Sequence, residues 1–347
     1  MHELTASPNA IVPPAAIPRA TPIRRSAVRW LAFLFFGLAL VFAAIAASMG
    51  DMFFFRLGTE ALIYGGLALS VDLLLGKTGL LPLGQALFFG FGAYVSALVL
   101  KNVMPSFWLA MLAVLVCTTV AGLIGGVIAI RAKGVYFALI SFGLAQVVSK
   151  VVFNTRELGA SDGIIGVPVP KISLGVTTVD AASAGAFFLF VLIVIGMLYA
   201  LISYLMETPF GRQLSAIRSN DRRVPFLGFD PWRYKLAAFV LAANVAGLSG
   251  ALYPMLRGFV SPDLMFFQVS GNAIINVIVG GTGTLIGALY GSAILTVLRS
   301  VIGSYTEHHQ MVIGVIFVVS VIFFPKGLVG YVVPALARRW ARQGAMP

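Results

Sequence analysis

"METPFGRQLSAIRSNDRRVPFLGFDPWRYK" occupies residues 206–235 and holds six of the 24 Lys and Arg residues of a 347-residue chain that is only 10% charged. It is a polar island between two apolar runs, 183–205 and 231–256, each near the roughly 20 residues that cross a bilayer. Such runs recur from Val28 toward the C-terminus, and 59% of the chain is hydrophobic, above the roughly 45–50% apolar usage of soluble domains. Spanning segments must satisfy their own backbone, so these runs predict helices. The reading is an all-α polytopic membrane protein with one membrane domain over 28–333.

About ten transmembrane or partly spanning helices are predicted, near 28–48, 59–75, 80–100, 107–130, 135–153, 183–205, 231–256, 268–280, 285–302 and 311–331. With the N-terminus inside, 17 Lys and Arg fall on cytoplasmic tails and loops. Five (Arg56, Lys101, Arg156, Lys171 and Arg257) fall outside, while Lys150 and Arg299 lie within segments. The positive-inside rule therefore puts both termini in the cytoplasm. Residues 1–27, rich in Ala and Pro, are expected as a disordered tail and 334–347 as a basic one. A cleavable leader is the rival for the N-terminus, but the run from Val28 to Ala47 exceeds the usual leader length, which favours a retained span.

The net charge of +12 does not point to nucleic acid, because the aromatics lie inside apolar runs and not among the basic residues. Cys117 is the one cysteine, which excludes an intrachain disulfide. "GKT" at 76–78 lacks the first glycine of a phosphate loop, since position 71 is Val71. Glu307, His308 and His309 have the wrong spacing for helical metal ligands and are expected on a solvated loop. No catalytic residue and no metal site is predicted. Of the few ionisable residues within segments, Asp72 stands five before Lys77 and is expected as an interfacial or snorkelling group.

The eighth segment is short and runs into "GGTGT" at 280–284, an irregular backbone that needs protein or a wet cavity around it. Gly283, Gly287 and Gly291 follow at i, i+4 and i+8, a small-residue ridge expected to let another helix approach. Within the charged island, Thr208-Pro209 predicts an N-cap and a first-turn proline. Phe210, Leu214 and Ile217 then share one face, with Arg212, Arg218 and Arg222 pointing elsewhere. Val224-Pro225 and Gly228 end this short amphipathic helix, and Asp230-Pro231 starts the next span. Contact with anionic lipid and docking of a cytoplasmic partner both fit these residues.

Five stretches in order carry a family resemblance: "ALSVDLLLGKTGLLPLGQALFFGFGAY" (68–94), "RAKGVYFAL" (131–139), "SDGIIGVP" (161–168), the 208–253 stretch that opens "TPFGRQLSAIRSNDRRVPFLGFDPWRYK", and "VGGTGTLIGALYGS" (279–292). They resemble the M-type membrane permeases of bacterial ABC importers for branched-chain amino acids, over roughly residues 65–331. The resemblance implies a multi-pass inner-membrane protein that shares the pathway with a second, related permease. It implies two cytoplasmic ATPases, which use ATP and Mg while this chain binds no cofactor, and an external substrate-binding protein. The 206–230 loop would be the coupling element, with Gly211, Arg212, Ala216, Ile217 and Arg218 at the ATPase contact and Phe210 and Leu214 seating the helix.

The sequence differs from the common family pattern at Asp72, at Pro82 and Gln85 of "LPLGQA", and at Asn272, so urea, short amides and other amino acids stand beside leucine-like cargo. A zwitterion needs polar groups along its path. Asn272 and Asn276, one turn apart before "GGTGT", together with Gln85, Ser141 and Asn244, are the candidates, each with helix bridging as its structural counterpart. An ion-coupled secondary transporter is the rival from another class, weakened by the scarcity of intramembrane charges.

Overall fold

A computed structural model describes residues 22–173, 178–180, 183–305, 309–323 and 327–342. The chain forms α1 (Pro22–Met49), α2 (Met52–Asp72), α3 (Gln85–Leu98), α4 (Phe107–Ala129), α5 (Val135–Asn154), α6 (Ala184–Glu207) and α7 (Pro209–Ser219). It continues as α8 (Pro231–Ala251), α9 (Tyr253–Arg257), α10 (Phe267–Gly280), α11 (Ile286–Gly303), α12 (His309–Phe323) and α13 (Gly327–Arg342). Among the described residues eight helices are long and apolar enough to cross a membrane, and 267–280 forms a shorter apolar helix, as its length predicts. Among the described residues two small ladders lie in the loops. β1 (Ile164–Ile165) pairs antiparallel with β4 (Phe259–Val260), and β2 (Lys171–Ser173) with β3 (Thr178–Asp180).

The packing is radial. α2 is the axis, with 78% of its apolar window inside the fold, against 28% for α1 and for α4. Phe33, Leu112, Val116 and Ile124 on those outer helices are exposed, as lipid-facing side chains should be. Since lipid is as apolar as leucine, helix contacts here depend on close approach more than on hydrophobic burial. The segment "AANVAGLSGA" at 242–251 supplies that approach: Gly247 packs on Thr118 of α4 and against Gly92 of α3, and Ser249 against Gly66 of α2. Ser96 Oγ donates to Ala251 O at 3.0 Å and Ser292 Oγ to Ala61 O at 2.9 Å, fixing α3 to α8 and α11 to α2.

Several boundaries differ from expectation. α1 begins at Pro22, so 22–27 are helical and not tail, and Ala27 is fully buried. α3 begins at Gln85 and not near 80, because Pro82 and Gly84 break the run, and side chains from other helices satisfy amides at its start. Ser141 Oγ accepts from Leu83 N at 3.2 Å and Ser270 Oγ from Ala86 N at 2.9 Å. The predicted 311–331 segment divides into α12 and α13, and α13 runs through Pro334 to Arg342, so 334–342 of the expected basic tail are helical. His309 opens α12, whereas Glu307 and His308 lie outside the described residues.

The glycine ridge is also redrawn. Gly283 lies before α11, at φ +81 in the left-handed region. Gly287 and Gly291 alone form the ridge, against α10. A Cβ on Gly287 would stand 2.8 Å from the carbonyl oxygens of both Gly280 and Gly281, which are backbone and cannot swing aside. Gly287→Leu is therefore expected to destabilise the chain by about 1–3 kcal/mol or more through overpacking, read as a lower melting temperature and lower yield in detergent. Wild-type melting would show that the α10–α11 approach tolerates bulk.

Candidate functional site

α7 lies across one end of the bundle, and its seat is built from its own sequence. Pro209 fixes the first turn, but the Thr208 hydroxyl turns back to Leu205 O at 2.6 Å and does not cap the new helix. Gly211 is buried in the corner between α6 and α7, where a Cβ would collide with the Met206 backbone. Leu214 and Ile217 are buried, and Phe210 stacks on Tyr234 with ring centroids 6.0 Å apart. Ala216 is half-buried and Arg212 exposed. The helix stops at Ser219. Residues Val224–Leu227 form a separate single turn ended by Gly228 at φ +82, and Asp230 Oδ1 accepts from Trp232 N to start α8 as predicted.

Arg218 does not point away from the bundle. Its Nη1 donates to the carbonyl of Gly76, in the π-helical turn Leu73–Thr78 that ends α2. From the same turn Lys77 Nζ donates to Gly283 O at 2.7 Å, on the "GGTGT" loop between α10 and α11. Asp72 completes the junction: its carboxylate accepts from Gly283 N at 2.6 Å and from Leu285 N at 2.7 Å. Asp72 is fully buried, which corrects the interfacial, snorkelling expectation. Two backbone amides satisfy its carboxylate, and Lys77 and Arg218 stand within electrostatic reach. Leu285, with φ +62, is held by this contact in a region bulky residues rarely adopt.

Beside α7 lies a groove of about 300 Å³ lined by residues that include Gly79, Lys133, Ile217, Arg218 and Asp221. Asp221 receives Lys235 at 2.8 Å and Lys133 at 4.0 Å, joining the α7–α8 and α4–α5 connections.

The predicted pathway residues divide. Ser141 and Ser270 hold the backbone on either side of Gln85, through Leu83 N and Ala86 N. Gln85 Nε2 and Asn276 Oδ1 are buried with no hydrogen-bond partner among the described residues, and Asn272 is half-buried on the same helix as Asn276. Asn244 is elsewhere: its Oδ1 accepts from Thr118 Oγ1 at 2.6 Å and Thr119 Oγ1 at 3.1 Å, a bridge between α8 and α4. Ser270, Thr118 and Thr119 are residues that sequence reasoning missed, because hydroxyls within apolar runs carry no periodic signal.

Residues 53–321 match the family described as the branched-chain amino acid transport system permease component. The chain belongs to this family. The permease is 27% identical to the high-affinity branched-chain amino acid transport system permease protein LivM of Salmonella typhimurium, over 87% of this chain and 76% of the relative. Its identity to the LivM protein of Escherichia coli is 28%, over 81% and 71%. It is also 21% identical to LivH, a high-affinity branched-chain amino acid transport system permease protein of Salmonella typhimurium, over 77% and 91%. No solved structure gives a significant match to the permease.

Proposed function

We propose that this chain is a membrane permease subunit of a bacterial ATP-driven importer for branched-chain amino acids, with both termini cytoplasmic. It shares its pathway with a second, related permease, a pairing supported by its likeness to both LivM and LivH proteins. Two cytoplasmic ATPases drive it, and an external binding protein delivers substrate.

The carrying observation is the junction under α7. An ATPase that moves α7 moves Arg218, and Arg218 is bonded to the end of α2. Lys77 and Asp72 extend that link to the α10–α11 loop. α10 carries Asn272, Asn276 and Ser270, so motion at the ATPase face is passed to a helix whose Asn276 Oδ1 is buried without a hydrogen-bond partner among the described residues. Phe210, Gly211, Leu214 and Ile217 seat the lever, while Arg212 and Ala216 face the ATPase.

Reconstitution tests the assignment. The chain with its partner permease, ATPases and leucine-loaded binding protein is expected to import labelled leucine only when ATP is present. Uptake by the permeases alone under an ion gradient would replace this reading with a secondary carrier.

A further inference from the structure

We propose that the end of the bundle opposite α7 holds a receiving site for the carboxylate of an amino-acid substrate, centred on Arg299. It rests on the importer reading above.

α2 and α11 run antiparallel: a Cβ on Gly65 would touch Leu289, and Ser292 bonds the carbonyl of Ala61. Arg299 follows Ser292 by two turns. Side chains on a helix lean toward its N-terminus, which carries the Arg299 guanidinium back toward the level of Glu60 and Tyr64. Those two residues lie one turn apart on α2, and both are within electrostatic reach of Arg299. Glu60 stands twelve residues from Asp72, about 18 Å along the helix axis, well away from the α7 junction. Arg257, at the end of α9, immediately precedes the turn into β4.

Among the described residues the charges do not balance: Glu60 is claimed by Arg257 at 2.6 Å, which leaves Arg299 without an ion-pair partner there. Arg299 Nη2 is buried with no hydrogen-bond partner among the described residues. A buried guanidinium nitrogen without an acceptor is costly, and a carboxylate is the planar anion that its fork matches. Tyr64, within electrostatic reach of Arg299, belongs to an aromatic cluster: it stacks on Phe89 at 5.6 Å between centroids, and Tyr253 meets both rings at 6.3 Å. A zwitterion placed here sets its carboxylate on Arg299 and its ammonium toward Glu60 and the ring faces. Both ends are satisfied by neighbouring groups, and the Arg257 pair holds Glu60 in place.

The test uses the complete complex in vesicles with labelled leucine and leucine-loaded binding protein. Arg299→Gln is expected to lower uptake about tenfold or more, the worth of a hydrogen bond to a charged group, while assembly and binding-protein-stimulated ATP hydrolysis stay at the wild-type level. Arg299→Lys keeps the charge without the fork and recovers part of the uptake. Uptake by Arg299→Gln equal to wild type would overturn the site, as would a parallel fall in yield, hydrolysis and uptake, which marks a structural arginine. A lipid phosphate is the other anion available to Arg299, so the comparison is repeated in vesicles of phosphatidylcholine alone and in vesicles enriched in anionic lipid. The deficit persists in both if the ligand is substrate. A deficit confined to anionic lipid would assign Arg299 to the membrane and overturn the proposal. If the wild-type complex takes up no leucine under ATP, the importer reading itself falls.

Discussion

Asp72→Ala is expected to be the most damaging single substitution on the α7 side of the protein, with loss of leucine uptake and a large drop in melting temperature. The carboxylate is fully buried and accepts from Gly283 N and Leu285 N at 2.6 and 2.7 Å. Removing it leaves two buried amides without acceptors, at about 1–3 kcal/mol each. It also removes the buried carboxylate that lies within electrostatic reach of Lys77 and Arg218. These costs overlap, yet any of them is a large part of the roughly 5–15 kcal/mol that holds a domain folded. The positive φ of Leu285 adds to the damage, because Asp72 holds that amide in place. Asp72→Asn separates the two contributions. It keeps an acceptor for one amide while removing the charge, so intermediate melting and partial uptake are expected. Wild-type melting and uptake in Asp72→Ala would mean that the α10–α11 loop holds its shape without the carboxylate, and the link from α7 to α10 would be lost as a mechanism.

The long spans were legible because apolar runs end at polar residues. α4, α5, α6, α8, α10 and α11 each begin and end within a few residues of expectation, and Asp230 caps α8 as its position before Pro231 predicts. The run after Leu80 was misjudged because apolarity says nothing of backbone form. Pro82 and Gly84 keep the chain irregular until Gln85, and Ser141 and Ser270, far away in sequence, make that tolerable. The junction shows the same limit. Asp72, Lys77 and Arg218 are each visible as charges, but nothing local says that Asp72 reaches an amide 211 residues on or that Arg218 reaches a carbonyl 142 residues back. Asn244 illustrates the reverse case. A polar residue in a span reads equally as pathway or bridge, and only the partners Thr118 and Thr119 place it in a bridge.

Arg212 and Arg218 look equivalent as a sequence pair flanking an apolar face, yet charge reversal is expected to give opposite failures. Arg212 is exposed on α7 and free to meet a partner protein. Arg212→Glu forfeits about 1 kcal/mol of attraction to an anionic membrane surface, which a protein with eight helices, among its described residues, long and apolar enough to cross a membrane survives without leaving the bilayer. At a protein interface a misplaced charge costs about 2–5 kcal/mol, enough to release the ATPases on purification while the partner permease stays bound. Arg218 is exposed as well, but its Nη1 is tied to the carbonyl of Gly76, close to Asp72. Arg218→Glu sets a carboxylate against a carbonyl oxygen and near a second buried carboxylate, so the contact between α7 and the end of α2 must open. The outer surface of α7, however, keeps Arg212 and the seat made by Leu214. ATPases are therefore expected to remain on the Arg218→Glu complex and to hydrolyse ATP, with uptake per ATP falling by about tenfold or more for each 1.4 kcal/mol of coupling removed. Changing both residues combines the two losses: no ATPases and no uptake. Co-purification and the ratio of uptake to hydrolysis separate these outcomes. Retained ATPases and undiminished uptake in both single variants would show that the charged stretch serves only to orient the chain in its membrane, and the coupling role of α7 would be withdrawn.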